Sequence, residues 1–405
     1  RPTSARGYYS TGGPCNIGAV ATGGIVTVDV ADAPKPQVDD LTSCFTSGTN
    51  SSSKDFPAST LASQGGDANP IQGPTVGVVD PTGEWLMVLS RESKNLAFLP
   101  AYKREGTGID FESNGTSVRT VSDVGHGADG LAVTKDFSRA YVYNQFDHTV
   151  QVFEGRGAAG GAAVVPAGTV RLNVNEVLSP DEVLGRKMFF DARDLRMSSA
   201  QTTVACSTCH LEGREDGHLW QFPDGPRQTP MLGGRMLLST APYHWSGEFD
   251  DLKGFNVHTI TERMGGKGLS VTDQQRLDLF IDRLPLPDNA MRTAMGSDVE
   301  LRGKAAYEKA QCASCHVGEA LTNNANADVG TLRLSGRNPD TGLVVTRGFN
   351  VPSLLGIGRT APYLHDGSQV SLEERVYSNQ GDRHGVTSTL TEQEKADLVA
   401  YLKAL

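Results

Sequence analysis

The sequence predicts a multidomain chain: an N-terminal all-β region followed by two mainly α-helical domains. Two observations carry this. Within residues 1–170 the stretch Val78–Val88 aligns with Ala132–Val142 at an offset of 54, and the same offset sets Asn95–Leu99 over Thr149–Phe153. From residue 177 onward the order helix, Cys-x-x-Cys-His, Thr-Ala-Pro-Tyr, helix occurs twice.

The β region is rich in Gly, Ser, Thr and Val, with short alternating runs bounded by turn residues. A strand and turn unit repeated at a fixed period is the signature of propeller blades. Tyr141-Val142-Tyr143-Asn144, followed by Thr149-Val150-Gln151-Val152, resembles the YVTN-type propeller repeat. With Ile25–Val30 as a further strand, the region holds two blades and a fragment. A closed propeller usually has four to eight blades, so the expectation is a partial propeller, completed by upstream blades or by another chain or copy, with a small irregular β domain as the alternative. Gly155–Ala167 has no apolar period and reads as a linker.

The helical part is announced by caps. Ser179-Pro180-Asp181-Glu182, Ser297-Asp298-Val299-Glu300 and Thr391-Glu392-Gln393-Glu394 are capping-box patterns, the first with proline at the first helical position. Thr272-Asp273-Gln274-Gln275 is expected to open another helix, through Leu277, Phe280, Ile281 and Leu284.

Cys206-Ser207-Thr208-Cys209-His210 and Cys312-Ala313-Ser314-Cys315-His316 have the spacing of c-type haem attachment. The two thiols form thioethers with the porphyrin, and the adjoining histidine becomes the proximal iron ligand. A structural zinc site would complete each thiolate pair with ligands well separated in sequence. A thioredoxin-like pair would need a βαβ setting that these flanks lack. The chain is therefore expected to hold two covalent haems, in cytochrome c domains at 177–290 and 291–405.

Net charge of −10 argues against nucleic acid as a partner, which would require a basic face. No run of about 18 apolar residues offers a membrane span. Covalent haem and the even pair Cys15 and Cys44 suit an oxidising compartment, periplasmic or extracellular, with a signal segment expected to have been removed. A Cys15–Cys44 disulfide would close a loop of about 28 residues, worth roughly 3 kcal/mol, and two unpaired buried thiols are the alternative.

Residues 177–405, about 230 in number, resemble the di-haem cytochrome c peroxidase family, which includes the MauG-type enzymes. Arg359-Thr360-Ala361-Pro362-Tyr363-Leu364-His365-Asp366-Gly367-Ser368, followed by Ser371-Leu372-Glu373-Glu374, is close to that family's second-domain signature. Gly217-His218-Leu219-Trp220-Gln221-Phe222, followed by Gly225-Pro226-Arg227-Gln228-Thr229-Pro230, resembles the loop that supplies the distal ligand of the first haem. The resemblance makes His218 that ligand, with an ordinary loop histidine as the alternative and His244 and His258 as rivals. It assigns Trp245 to the tryptophan between the haems, where a packed core aromatic is an equal reading. It further implies a calcium ion held by Gln228, Thr360 and Pro362, although the family has asparagine at Gln228's position. Glu262 lies near the family's proton-transfer carboxylate, one position out of register against Met264, and a solvated helix carboxylate reads equally well.

The chain departs from the peroxidases in its second half. Their second haem commonly has a methionine as sixth ligand, and here the last methionine is Met295. In the corresponding stretch, Tyr377-Ser378-Asn379-Gln380-Gly381-Asp382-Arg383-His384-Gly385, His384 is the strong ligand and Tyr377 the alternative, with an open iron as the third. By resemblance His365 sits near the haem edge instead.

Three readings of function follow: an electron-transferring cytochrome with bis-histidine haems and a redox partner such as a cytochrome or cupredoxin, a hydrogen peroxide reductase or MauG-like oxidase, and a haem-bearing subunit of an extracellular assembly.

Overall fold

The computed structural model describes residues 72–79, 81, 85–100, 120–156, 163–199, 203–222, 225–292, 296–332 and 348–405. Cys15, Cys44 and the strand expected at 25–30 lie outside the described residues. The chain divides into two compact units, one running to Thr208 and including Ile260–Asp273, the other made of Cys209–Thr259 and Gln274–Leu405.

The first unit holds two antiparallel four-stranded sheets whose first three strands keep the 54-residue offset. One is β1 (Pro74–Val79), β2 (Trp85–Ser90), β3 (Asn95–Pro100) and β4 (Thr120–Asp123); the other is β5 (Ala128–Val133), β6 (Arg139–Asn144), β7 (Thr149–Arg156) and β8 (Ala163–Arg171). Residues 155–156 and 163–167 of the stretch expected to be a linker lie instead in β7 and β8, Gly155 pairing with Val164. Each sheet follows chain order, every neighbour pair being antiparallel. Alternation fixes which face turns inward: in β6, Ala140 and Val142 are buried while Arg139 and Tyr141 are exposed. Met87, Leu89, Leu96 and Phe98 of the first sheet join Ala140, Val142 and Phe153 of the second in one core. The β2–β3 turn, Arg91–Lys94, ends with Lys94 in the left-handed region at φ 50.

Helix α1 (Pro180–Phe189) starts where its cap predicts. Ser179 accepts from the Glu182 N–H, and the Glu182 carboxylate accepts from the Ser179 N–H at 2.7 Å. The box at Thr391 is likewise complete. Two other starts differ from expectation. The helix expected to open at Thr272 begins at Val271, because Ser270, a capping residue two positions upstream, accepts from the Asp273 N–H at 3.1 Å. At Ser297 only half of the box forms, since the Glu300 carboxylate accepts from Gly296 N–H.

After α1 come α2 (Leu252–Asn256), a π-helical turn Val257–Arg263, α3 (Val271–Asp282), α4 (Asp298–Lys309), α5 (Leu372–Tyr377) and α6 (Glu392–Ala404). In the second unit α4 and α6 pack through Ala306, Tyr307, Ala310, Leu398, Val399 and Leu402. Their crossing requires Gly303, where a Cβ would stand 2.4 Å from the Tyr401 Cβ.

The doubled Thr-Ala-Pro-Tyr signal marks a doubled backbone. Both Ala–Pro bonds are cis, Tyr243 bridges to Phe249 as Tyr363 does to Gln369, and His244 and Leu364 share left-handed φ of 66 and 70. A capping Asp251 or Ser371 then opens α2 or α5. None of the helices, among the described residues, is long and apolar enough to cross a membrane.

Candidate functional site

Both motif histidines are held the same way. His210 Nδ1 lies 2.9 Å from the carbonyl oxygen of Pro230, and His316 Nδ1 lies 3.1 Å from that of Pro352 and 3.2 Å from that of Leu321. A carbonyl can only accept, so the proton sits on Nδ1 and Nε2 keeps its lone pair for a metal. Burial favours the neutral ring in each, pushing His210 down to about 4 and lowering His316.

Cys206–Cys209 form one helical turn, and Cys312–Ser314 form a tighter turn entered through Gln311 at φ 60. None of these four cysteines is in a disulfide. Burial pushes the Cys312 thiol up to about 11. A cysteine pair beside a neutral imidazole with a free Nε2 is the donor set that haem c requires.

Opposite the second motif stands His384. Its ring centroid is 6.1 Å from that of His316, with the planes 36° apart. Two imidazole nitrogens each about 2 Å from a shared metal separate their ring centroids by about 6 Å. The His384 ring is pushed down to about 3, by burial first and then by the cations Arg375 and, when charged, His316. Its Nδ1 is buried without a hydrogen-bond partner.

The loop that carries His384 is fixed by Asn379. The Asn379 Oδ1 accepts from the His384 N–H at 3.1 Å, and its Nδ2 donates to the carbonyls of His384 and Gly385 at 3.2 and 2.9 Å and to Thr387 Oγ1 at 3.1 Å. Arg375 Nη2 donates to the same Oδ1 at 2.6 Å. Gly385, at φ 75, lets the chain pass Ala310, where a Cβ would meet the carbonyl oxygen at 2.9 Å. Neither Asn379 nor Arg375 stands out in the sequence, since an amide and a guanidinium acquire these roles only once the loop is closed. Tyr377, the alternative ligand, is 44% exposed, with its hydroxyl 3.5 Å from the Glu392 carbonyl.

The Cytochrome c family model matches residues 301–405. Hydrazine synthase subunit gamma of Kuenenia stuttgartiensis is 28% identical over 261 residues, spanning 51% of this chain and 73% of that protein. Cytochrome c551 peroxidase of Nitrosomonas europaea is 25% identical over 305 residues, 62% of this chain and 88% of that one. The methylamine utilization protein MauG of Methylorubrum extorquens is 28% identical over 288 residues, 56% and 79%. Over these spans the chain is similar to the cytochrome c peroxidases and MauG proteins.

The cytochrome c match, the CxxCH motifs and these relatives support covalently bound haem c. The residues that the resemblance singles out have these surroundings. His218 follows Asp216, which accepts from its N–H at 2.9 Å, and its ring packs edge-on against Trp220 with centroids 4.7 Å apart. Trp220 Nε1–H donates to Asp216 at 2.8 Å. Strands β9 (Leu219–Phe222) and β10 (Gly225–Gln228) form the hairpin that follows. Trp245 donates from Nε1 to the Gln228 carbonyl at 2.8 Å and stands 6.3 Å from the ring of His365, itself stacked on Phe349 at 3.6 Å. Trp245 is therefore part of an aromatic row in the second unit. His244 and His258 lie in another cluster with Phe249 and Phe255, and His244 Nδ1 is 2.8 Å from Glu248. Glu262 is exposed on the π-helical turn.

For calcium the fit is poor. Gln228 and Thr360 are buried together, but the Gln228 Nε2–H donates to the Thr360 carbonyl at 3.0 Å. A donor then occupies the oxygen that a cation would need, so Gln228, Thr360 and Pro362 do not form a calcium site as arranged. No group of three or more His, Cys, Asp or Glu suited to a metal ion occurs among the described residues.

Proposed function

We propose that this cytochrome carries two haems, one on each CxxCH, in domains 177–290 and 291–405, and passes electrons between them and a redox protein partner. The observation that carries the reading is the His316–His384 separation of 6.1 Å between two buried imidazoles, which suits one iron between them. His210 and His316 serve as proximal ligands, His384 as the distal ligand of the second iron and His218 as that of the first. Haem bound there supplies reversible one-electron chemistry. The chain's own residues fix the tautomers of His210 and His316, favour the neutral rings of His210, His316 and His384 by burial, and hold the His384 loop through Asn379. A bis-histidine iron has no vacant position for peroxide, which favours conduction over reaction.

A second reading rests on a difference between the loops. His384 is held by a network centred on Asn379, whereas His218 has one backbone bond to Asp216 and one ring contact with Trp220. A first iron that loses His218 would be open to peroxide, giving a peroxide reductase or MauG-like oxidase. Electron paramagnetic resonance of the oxidised and half-reduced protein separates the two. Persistent low-spin signals support the electron carrier, and a high-spin signal supports the enzyme.

The two four-stranded sheets suit two blades of a partial YVTN-type propeller within residues 1–170, which further blades or another chain or copy would complete. An extracellular or periplasmic location accords with covalent haem. Detection of the mature chain in periplasmic or culture fractions tests it.

A further inference from the structure

The β2–β3 turn sends one acidic side chain inward. Glu92 is 3% exposed, and Gly73 leaves room for it: at φ 62, a Cβ on Gly73 would stand 2.5 Å from the Glu92 Cγ. Burying a carboxylate is costly unless its oxygens are hydrogen-bonded.

Both oxygens are satisfied by the intervening residues of the first CxxCH. Ser207, itself 1% exposed, donates from Oγ to Glu92 Oε1 at 2.6 Å, and Thr208 donates from Oγ1 to Oε2 at 2.7 Å. Thr208 Oγ1 in turn accepts from the Ala205 N–H at 2.9 Å, at the start of the same helical turn. The Glu92 backbone carbonyl accepts from the Ala192 N–H at 3.0 Å, so main chain and side chain are both anchored. Two oxygens that both accept are the pattern of an ionised carboxylate.

Among the described residues the second motif has nothing equivalent. Its intervening residues are Ala313 and Ser314, and the Ser314 hydroxyl donates to the nearby Gln311 carbonyl at 2.7 Å, on an exposed turn.

We infer that Glu92 is a positioning residue of the first haem-attachment turn, through which the β region fixes the shape of that turn and lowers the reduction potential of the first haem relative to the second. Hydrogen bonding and charge around a haem set its potential, and a buried anion stabilises the ferric form. The inference rests on haem at both motifs, as proposed above.

The test is a spectroelectrochemical titration of the full chain, after a haemochrome count of haems per chain. The two midpoints are assigned with a variant in which Cys312 and Cys315 are replaced by Ala. Glu92→Gln keeps the shape and removes the charge. The expected result is an upward shift of the first midpoint by about tenfold in the reduction equilibrium, 59 mV for a one-electron couple, with the second midpoint unmoved. Ser207→Ala keeps the charge but removes one of its donors, and should move the first midpoint downward by less. Should Glu92→Gln fail to fold, Ser207→Ala decides alone. Two haems per wild-type chain with an unmoved first midpoint in the folded variants would overturn the inference and leave the di-haem reading standing. Fewer than two haems in the wild type would overturn both.

Discussion

The loops of His384 and His218, each proposed to supply a distal ligand, are built differently. Around His384, one asparagine side chain makes four contacts with the loop between His384 and Thr387, and a guanidinium holds that asparagine in turn. Around His218, an aspartate receives the backbone N–H and the indole of Trp220, while the imidazole itself meets only an aromatic edge in the contacts described. A ligand loop tied at several points has one geometry to offer an iron, and a ligand held chiefly by its own backbone can swing away at little cost. On the proposed reading, the contrast would give conduction to a second haem and any reactivity to a first.

The largest effect should come from the ligand itself. Replacing His384 by Ala is expected to convert the second haem from low-spin to high-spin, seen in the optical and magnetic spectra, with both haems still attached. Retention of a low-spin second haem would return Tyr377 or another group to consideration. His218→Ala should produce the corresponding change at the first haem alone.

Next in size is Asn379→Ala. It leaves the backbone donors and acceptors of a partly buried loop without partners, at about 1–3 kcal/mol for the unsatisfied groups. The expected outcome is a lower melting temperature and a mixed-spin second haem, while Asn379→Asp, which keeps one acceptor, falls between the two. A variant with wild-type spectrum and melting temperature would mean that Asn379 does not hold the ligand loop.

A smaller effect belongs to the first unit. His126 is partly buried, and although burial opposes its charge, the carboxylates of Asp147 at 3.3 Å and Asp191 at 3.6 Å outweigh this and raise it above 6.5. Lys94 and Lys187 complete the cluster, each 2.6 Å from one of those carboxylates. A raised histidine stabilises the fold fully below its unfolded value near 6.5 and loses that contribution as pH rises through the folded value. Denaturant unfolding should therefore show stability falling as pH rises above neutrality, and His126→Gln should flatten that slope. Asp191, held below its usual range despite burial by His126 and Lys94, acts in the opposite direction, losing its contribution only as pH falls below the ordinary carboxylate range.

What the sequence made legible was local chemistry. CxxCH offers a thioether and imidazole set in five residues, capping boxes mark helix starts to within a residue or two, and the 54-residue offset lays out the first three strands of each sheet but not the fourth. His384 is a candidate the sequence offers through resemblance, which marks the stretch where a second distal ligand would lie, with Tyr377 and an open iron as its alternatives. Glu92 was not reachable: its partner Ser207 lies 115 residues away, and an acidic residue in a turn reads as a solvated one until the turn is seen to face inward. Gln228 is a different case. A pattern suggested an ion, and the side chain turned out to donate to the carbonyl that the ion would have used.

The central claim is that the second iron is closed by His384, and the most direct measurement is electron paramagnetic resonance of the protein, oxidised and then half-reduced, alongside His384→Ala. The account predicts a low-spin second-haem signal in the oxidised protein that becomes high-spin in the variant. A high-spin second haem in the oxidised wild-type protein would contradict it.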